Sequence, residues 1–409
     1  MAFSIAEILI LCLLADWVVR RFRLPGLIGM LGVGIVLGPH VTNLLHPALM
    51  AVSPELRLIA LIVILLRSGL KLTRATLHHS GGRVVMLACL PAACELFAIT
   101  LIAPLLLPLS YMEAAILGTV LAAVSPAVVV PAMIKLMDHG RGSDKGIPAM
   151  VMASASIDDV FVIVAHSIVL SLYLGNATGT PLSQLASIPI SLIAGIGLGL
   201  LIGVLIYKIC DHFNPRATKR VLLLIAAATL LIRLQYLLEG IFPFSGLVGT
   251  MAVGFILLEK REDMAHELSA KLAKVWVFAE IILFSLVGAQ VNPRIALQAG
   301  FAGALIIATG LLARSTGVAL CLLRSQLNAR ERLFVILSYF PKATVQAAIG
   351  ASPLLAMQAA GRSTAPGEII LALAVLSIIL TAPLGALAIQ YAAPRCLAPK
   401  QKHTEPHHE

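Results

Sequence analysis

Residues 26–37 read GLIGMLGVGIVL, and residues 246–257 read GLVGTMAVGFIL. At a separation of 220 positions, eight of these twelve residues match identically or conservatively, among them Gly26/Gly246, Gly29/Gly249 and Gly34/Gly254. The segments that follow continue the match at nearly the same offset, Ala60 to Gly69 against Ala279 to Gly288. The chain therefore reads as two copies of one helical unit, and the surrounding composition says in which solvent those copies fold.

Of 409 residues, 59% are apolar and 12% charged, and the mean hydropathy is +0.97. A soluble domain carries roughly a quarter charged residues, so a soluble globular fold is excluded. A membrane barrel is excluded as well, because the apolar runs are continuous over about 17–25 residues and lack the alternation that lumen-and-lipid strands need. Pro, Gly and charge clusters divide the chain into thirteen candidate spans: 3–19, 25–39, 56–72, 84–107, 113–136, 148–173, 186–208, 220–238, 245–258, 273–291, 295–323, 330–357 and 368–391. The second and ninth are short for a span, and the eleventh is long.

Basic residues test that division independently, since loops rich in Lys and Arg stay on the cytoplasmic side. Twenty-three of the thirty Lys and Arg fall in loops after odd-numbered spans or in the C-terminal tail, against three (Arg57, Arg294, Arg362) on the opposite side. The expected orientation is N-terminus out and C-terminus in. The net charge of +10 then reports orientation, not a nucleic-acid partner. The first apolar run begins at Phe3 with no basic residue ahead of it and Arg20, Arg21 and Arg23 behind it, which reads as a retained anchor. The six cysteines form no CxxC pair or secretory framework, so neither disulfides nor a structural metal are expected. The expected location is an integral position in a bacterial inner (cytoplasmic) membrane, among lipids.

Spans two and nine are an odd number of crossings apart, so the repeats run in opposite directions. Spans 1–6 and 8–13 form two inverted six-helix halves joined by span seven. Inverted halves mark transporters, whose substrate site lies near the midplane where interrupted helices meet. Interruptions are expected at Ser125-Pro126 to Pro131 in span five and at Pro341 in span twelve. Charges at bilayer depth cost at least about 2.5–3.5 kcal/mol on insertion scales, and Glu95, Asp158, Asp159, Arg314 and Lys342 all lie close to their span centres. Asp158 and Asp159 are adjacent on a helix and diverge by about 100°; one can face a water-filled path while the other faces a fixed countercharge. Helical spacing sets Ser154 over Asp158. Arg314 and Lys342 are the available cations, and Glu95 is a candidate partner for Arg314. Arg67 and Arg233 read as snorkelling side chains, Asp16 as a partner of the arginines after it, and Glu7 and Glu280 are left open, Glu280 being deep enough to line an aqueous cavity. His78, His79, His403, His407 and His408 read as solvated loop or tail residues.

The stretch from Leu117 to Val160, LGTVLAAVSPAVVVPAMIKLMDHGRGSDKGIPAMVMASASIDDV, together with PKATVQAAIG at 341–350, resembles the monovalent cation:proton antiporter superfamily. Within it the resemblance is to the NHA-type sodium/hydrogen exchangers. It implies a homodimer in which each protomer has a dimerisation domain and a mobile core with crossed, interrupted helices. Placed on this sequence, residues 1–83 are dimerisation helices 1–3, 84–175 core helices 4–6, 176–212 linker helix 7, 213–293 dimerisation helices 8–10, 294–393 core helices 11–13 and 394–409 a cytoplasmic tail. By the same resemblance Asp159 matches the ion-binding acid, Asp158 the acid paired with a basic residue, and Arg314, Lys342 and Glu95 the charged positions of the core. Many relatives carry Thr-Asp at the first break, where this chain has Ser125-Pro126.

The expected activity is exchange of Na+ or Li+ for H+ by alternating access, with proton and cation competing for one midplane carboxylate. Oxygen ligands suit a hard cation; the candidates are Asp159, Asp158, Ser125, Ser154 and Thr344, with backbone carbonyls at the Pro126 and Pro341 breaks and water. No cofactor is expected beyond the transported ions, and no enzymatic reaction. A K+/H+ antiporter is the alternative, since the same carboxylate logic serves both ions. An intramembrane aspartyl protease needs its two acids on separate helices and a Gly-x-Gly-Asp stretch that is missing here. A non-transporting sensor would need a reporting domain, and about sixteen residues follow Ala393.

Overall fold

The computed structural model describes residues 1–22, 24–72, 74–175, 181–238, 242 and 244–398. Among these, eighteen helices follow one another: α1 (Ala2–Arg21), α2 (Leu27–Leu37), α3 (Pro47–Ala51), α4 (Ser53–Gly69), α5 (Arg74–Leu106), α6 (Tyr111–Leu121), α7 (Pro126–Asp138), α8 (Ile147–Leu174) and α9 (Pro181–Phe213) in the first part, then α10 (Ala217–Leu237), α11 (Gly246–Lys260), α12 (Glu262–Gln290), α13 (Pro293–Gln298), α14 (Gly300–Leu322), α15 (Ala329–Ser338), α16 (Thr344–Ile349), α17 (Ser352–Ala359) and α18 (Ala365–Cys396). Helix is what an apolar chain must form where no water can satisfy its backbone. Among the described residues nine helical segments, one of them the broken α6–α7 run, are long and apolar enough to cross a membrane, and Leu27–Leu37 is a shorter apolar helix. Every one of the thirteen apolar runs coincides with a helix or a broken helix; the charges expected at Arg23, Lys400 and Lys402 and the tail histidines lie outside the described residues, as do the side chains of His78 and His79.

The repeated glycines explain the packing. A Cβ on Gly34 of α2 would meet the Ser285 carbonyl of α12, and a Cβ on Gly254 of α11 would meet the Leu66 carbonyl of α4. Gly288 likewise faces the Leu31 carbonyl, and Gly69 the Met251 carbonyl. These contacts exchange under the two sequence offsets already noted, 220 for Gly34/Gly254 and Leu31/Met251 and 219 for Leu66/Ser285 and Gly69/Gly288. The α2–α12 and α4–α11 pairs are thus equivalent interfaces, each closed to backbone contact by missing side chains. Close van der Waals approach of this kind is what holds helices together in lipid, where burial of apolar surface gains little. α9 joins the same group, with Gly199 against Gly249 and Gly203 against Val253. α5, α6, α8 and α14 pack together as a second group, with α15 and α18 beside them.

Two broken helices share a construction. α6 opens on a capping box of Ser110 and Glu113, and α15 on one of Asn328 and Glu331; in each, two free backbone N–H groups are satisfied at the helix start. α6 stops at Leu121 because Pro126 forces extended backbone on Ser125 (φ −87°, ψ 112°) and cannot donate within the helix it starts. α15 stops at Ser338, ahead of Pro341. Three details differ from the sequence reading. Pro131 lies inside α7, five residues after Pro126, and does not extend the interruption; it forfeits one i→i−4 bond, to the Ala127 carbonyl, without ending the helix. Span twelve breaks a second time, at Gly350-Ala351, before Ser352-Pro353 restarts it as α17. The long eleventh span is α13 followed by α14, with Ala299 between them.

Candidate functional site

The two breaks touch. The Ser125 N–H donates to the Pro341 carbonyl at 2.7 Å, and the Ser125 and Thr344 hydroxyls lie 3.4 Å apart. Unwinding leaves the last carbonyls of α6 without helical partners, and cations fill that role. Lys342 Nζ donates to the Leu121 carbonyl at 2.6 Å, Arg314 Nη1 to the Ala122 carbonyl, and Gln346 Nε2 to the Ala123 carbonyl at 2.8 Å. The Lys342 N–H, freed by the second break, donates to Thr381 Oγ1 of α18 at 3.0 Å.

The charged residues form one buried network across five chain segments. Arg314 Nη2 donates to both oxygens of Asp158 at 2.8 Å, and Arg314 Nη1 donates to Glu95 Oε2 at 3.0 Å. Lys342 Nζ pairs with Glu95 Oε1 at 2.6 Å. The Val124 N–H, within the first break, donates to Asp158 Oδ2 at 2.7 Å. The Tyr339 ring lies with its centroid 5.4 Å from the Arg314 guanidinium, a cation–π contact, and its hydroxyl donates to Ser154 Oγ. Ser154 in turn donates to the Met150 carbonyl at 2.8 Å, so both capacities of that hydroxyl are engaged.

Asp159 stands apart. It is 3% exposed, and its Oδ1 is buried with no hydrogen-bond partner. The helix geometry that gives Arg314 to Asp158 turns Asp159 away by about 100°. Glu95, Asp158 and Asp159 against Arg314 and Lys342 leave the ionised cluster one negative charge in excess. Buried charge of this kind is retained only when compensated, and the two fixed cations are already engaged with Glu95 and Asp158.

Two cavities approach this point from opposite sides. One, of about 420 Å³, is lined by Arg20, Lys71, Arg67, Glu280, Pro126 and Met152 among others. The other, of about 650 Å³, is lined by Glu55, Arg57, Arg233, Ile163, His166 and Leu170 among others. At 100° per residue, Met152, Asp159, Ile163, His166 and Leu170 fall on a single stripe of α8. Asp159 therefore sits on the stripe between the two cavities. Glu280 lines the first, together with Trp276, over which Arg67 is stacked at 5.9 Å. Arg67 and Arg233, read from sequence as snorkelling, line the two cavities; Asp16 accepts from Arg20 at 2.8 Å. Glu7 is partly exposed on α1 and belongs to neither.

Sequence reasoning missed Tyr339, Gln346, Thr381 and His166. Gln346 and Thr381 carry no charge to draw attention in an apolar run. His166 does carry a signal, since it stands seven residues after Asp159, two helical turns along the same face.

The sequence model of a family described as "Sodium/hydrogen exchanger, transmembrane" matches residues 8–391. Sodium/hydrogen exchanger 9B2 of Mus musculus is 32% identical over 389 residues, covering 93% of this chain and 70% of that protein. Sodium/hydrogen exchanger 9B1 of Homo sapiens is 30% identical over 394 residues, covering 94% of this chain and 74% of that protein. Among solved structures, the sodium proton antiporter MjNhaP1 from Methanocaldococcus jannaschii superposes with a TM-score of 0.79 at 22% identity, over 95% of this chain and 97% of that one. That last likeness is one of fold. The match along nearly the whole chain, and relatives of this identity and coverage, make this integral membrane protein a member of the transmembrane sodium/hydrogen exchanger family.

Proposed function

We propose that the protein exchanges Na+, or Li+, for H+ by alternating access, with proton and cation competing for Asp159. One observation carries this reading: the buried Asp159 carboxylate has an oxygen without a partner, in a cluster whose fixed charges leave one negative charge to neutralise. A proton or a hard monovalent cation can supply that charge, and one carboxylate does not hold both. Loading one ion therefore requires release of the other, and coupling follows from competition alone. Asp158 is a positioning acid, held by Arg314 and the Val124 N–H. Ser125, Thr344 and backbone carbonyls at the breaks are the candidate neutral oxygens for a partly dehydrated ion, whereas the engaged Ser154 hydroxyl is a weaker candidate.

The two cavities flanking the Asp159 stripe support an access path from each side. Glycine-closed contacts within α2, α4, α11 and α12 support a rigid group on which the core moves, with the boundaries 1–83 and 213–293 for that group and 84–175 and 294–393 for the core. Thirteen spans, N-terminus out and C-terminus in, and a homodimer complete the proposal. The relatives named above are vertebrate, which lends a bacterial inner membrane no support; residence in a membrane is the part retained. The adjacency of Asp158 and Asp159, and the engagement of Asp158 by Arg314, speak against an aspartyl dyad. The test is proteoliposome exchange followed with an internal pH dye. Addition of Na+ or Li+ to acid-loaded vesicles drives proton efflux, and a response to K+ alone would replace the sodium reading with potassium exchange.

A further inference from the structure

His166 is buried, with 4% of its surface exposed, and lies between two hydroxyls. Its Nδ1 is 2.9 Å from Thr119 Oγ1 of α6, and its Nε2 is 2.8 Å from Ser352 Oγ at the start of α17. Each hydroxyl also contacts a backbone carbonyl: Thr119 donates to Ile116 at 2.7 Å, and Ser352 donates to Ile349 at 2.7 Å. Four contacts need four hydrogens. Two hydroxyls and a neutral imidazole supply three, and only the doubly protonated ring supplies the fourth. With the ring neutral, one hydroxyl must leave its carbonyl. Ile349 ends α16, so its carbonyl lacks a helical partner and holds Ser352. Ile116 lies inside α6, so Thr119 is the group that turns.

The ring also bridges elements of the candidate site. Thr119 is two residues before Leu121, whose carbonyl Lys342 holds; Ser352 follows the half-helix that Thr344 begins; and His166 shares the α8 stripe with Asp159. The second cavity gives it a route to water. The charged and titratable groups lining that cavity besides His166 are Glu55 and Arg57 of α4 and Arg233 and Tyr236 of α10, with Asp159 two turns below on the α8 stripe. No carboxylate is bonded to the ring among the described residues.

We infer that His166 is a second protonation site of the transport core, open to the cavity lined by Glu55 and Arg233, and that its protonation opposes cation binding at Asp159. This rests on the proposed antiport. The two residues are about 10.5 Å apart along the helix at 1.5 Å per residue. A unit charge at that separation, with an effective dielectric near 20, weakens cation affinity on the order of tenfold. The charged ring also engages both hydroxyls as acceptors and ties α6 and α17 to α8.

The test uses the full chain in two measurements. In proteoliposomes, the Na+ concentration for half-maximal exchange is recorded across about pH 4 to 8, a window wide enough for a buried imidazole, for wild type, His166→Gln and Thr119→Val. Wild type and His166→Gln coincide at the alkaline end. At the acid end the wild type needs on the order of tenfold more Na+ than the variant. Thr119→Val takes one acceptor from the charged ring and moves the wild-type step to lower pH by about half a unit or more. Superimposed curves for Thr119→Val and wild type overturn the inference, and so do superimposed curves for His166→Gln. The second measurement does not depend on transport: in 15N-histidine-labelled protein, the ring signal lost in His166→Gln reports protonation of both nitrogens below the step. A ring that stays neutral over the range overturns the inference even if exchange is observed, whereas a titrating ring in a protein that moves no protons overturns the antiport reading alone.

Discussion

Replacing Arg314 by Met would test the network on which the site is built. The guanidinium makes both contacts to Asp158 at 2.8 Å and one to Glu95 at 3.0 Å, and it caps the Ala122 carbonyl. Its removal leaves Asp158 with the Val124 N–H and Glu95 with Lys342. Breaking a buried pair by removing one partner costs roughly 3–5 kcal/mol, because the survivor is left uncompensated. For a chain of this length a loss of 1 kcal/mol lowers the melting temperature by about 1–2 °C, extending the size scaling of smaller domains. Arg314→Met should therefore melt roughly 3–10 °C lower, and Asp158→Asn somewhat less, since Asn still accepts one bond. In the double variant the uncompensated charge is gone, so the combined loss falls short of the sum by about 2–3 kcal/mol. Scanning fluorimetry of the two tryptophans, Trp17 and Trp276, in detergent reads all four proteins, with the exposed Arg233→Met as control. Strictly additive losses, or an Arg314→Met shift under about 1 °C, would refute the reasoning that the pair is mutually dependent.

Further outcomes follow from other parts of the structure. Gly34→Ala and Gly254→Ala each push a methyl group into a facing backbone, at Ser285 and Leu66, and should each destabilise by about 1–3 kcal/mol, Gly34→Ala the more because its contact is the closer. Gly32→Ala, with open space around it, should be neutral or slightly stabilising, and no loss at either Gly34 or Gly254 would argue against equivalent glycine-closed interfaces. Under the proposed antiport, with Asp158 and Lys342 both held in ion pairs and His166 open to one cavity only, one proton should exchange per cation and the rate at clamped membrane potential should not change with voltage; a voltage-dependent rate would require a second transported proton. Thirteen crossings with the N-terminus out predict that a cysteine at Ser143 is labelled by an impermeant reagent only from the cytoplasmic side and one at Thr364 only from the other. Labelling of both from one side would contradict the orientation.

The positions of the helices were legible because lipid imposes long apolar runs and glycine imposes close packing, and both leave direct marks in sequence. The break at Ser125-Pro126 was legible for the same reason, a proline that cannot donate. Pro131 shows the limit of that signal: it removes one hydrogen bond inside α7 without ending the helix. The restart at Ser352-Pro353 repeats the Ser-Pro pattern of Ser125-Pro126, yet it was hidden within a run that reads as one span. The scarce charges picked out the cluster, but the pairing of Lys342 with both Glu95 and the Leu121 carbonyl depends on where two separate half-helices end. Neutral members of the network, Gln346 and Thr381, have their roles only in three dimensions. His166 was passed over because histidines in loops set the pattern, although its spacing from Asp159 marks the shared face.

The most direct measurement is Asp159→Asn in proteoliposomes, with Asp158→Asn beside it. Asn keeps the size of the side chain and removes its capacity to carry a proton or balance a cation. Proton efflux driven by Na+ or Li+ should vanish in Asp159→Asn while the protein still inserts and melts near the wild-type temperature. Undiminished exchange in that variant would contradict the assignment of Asp159 as the shared carrier.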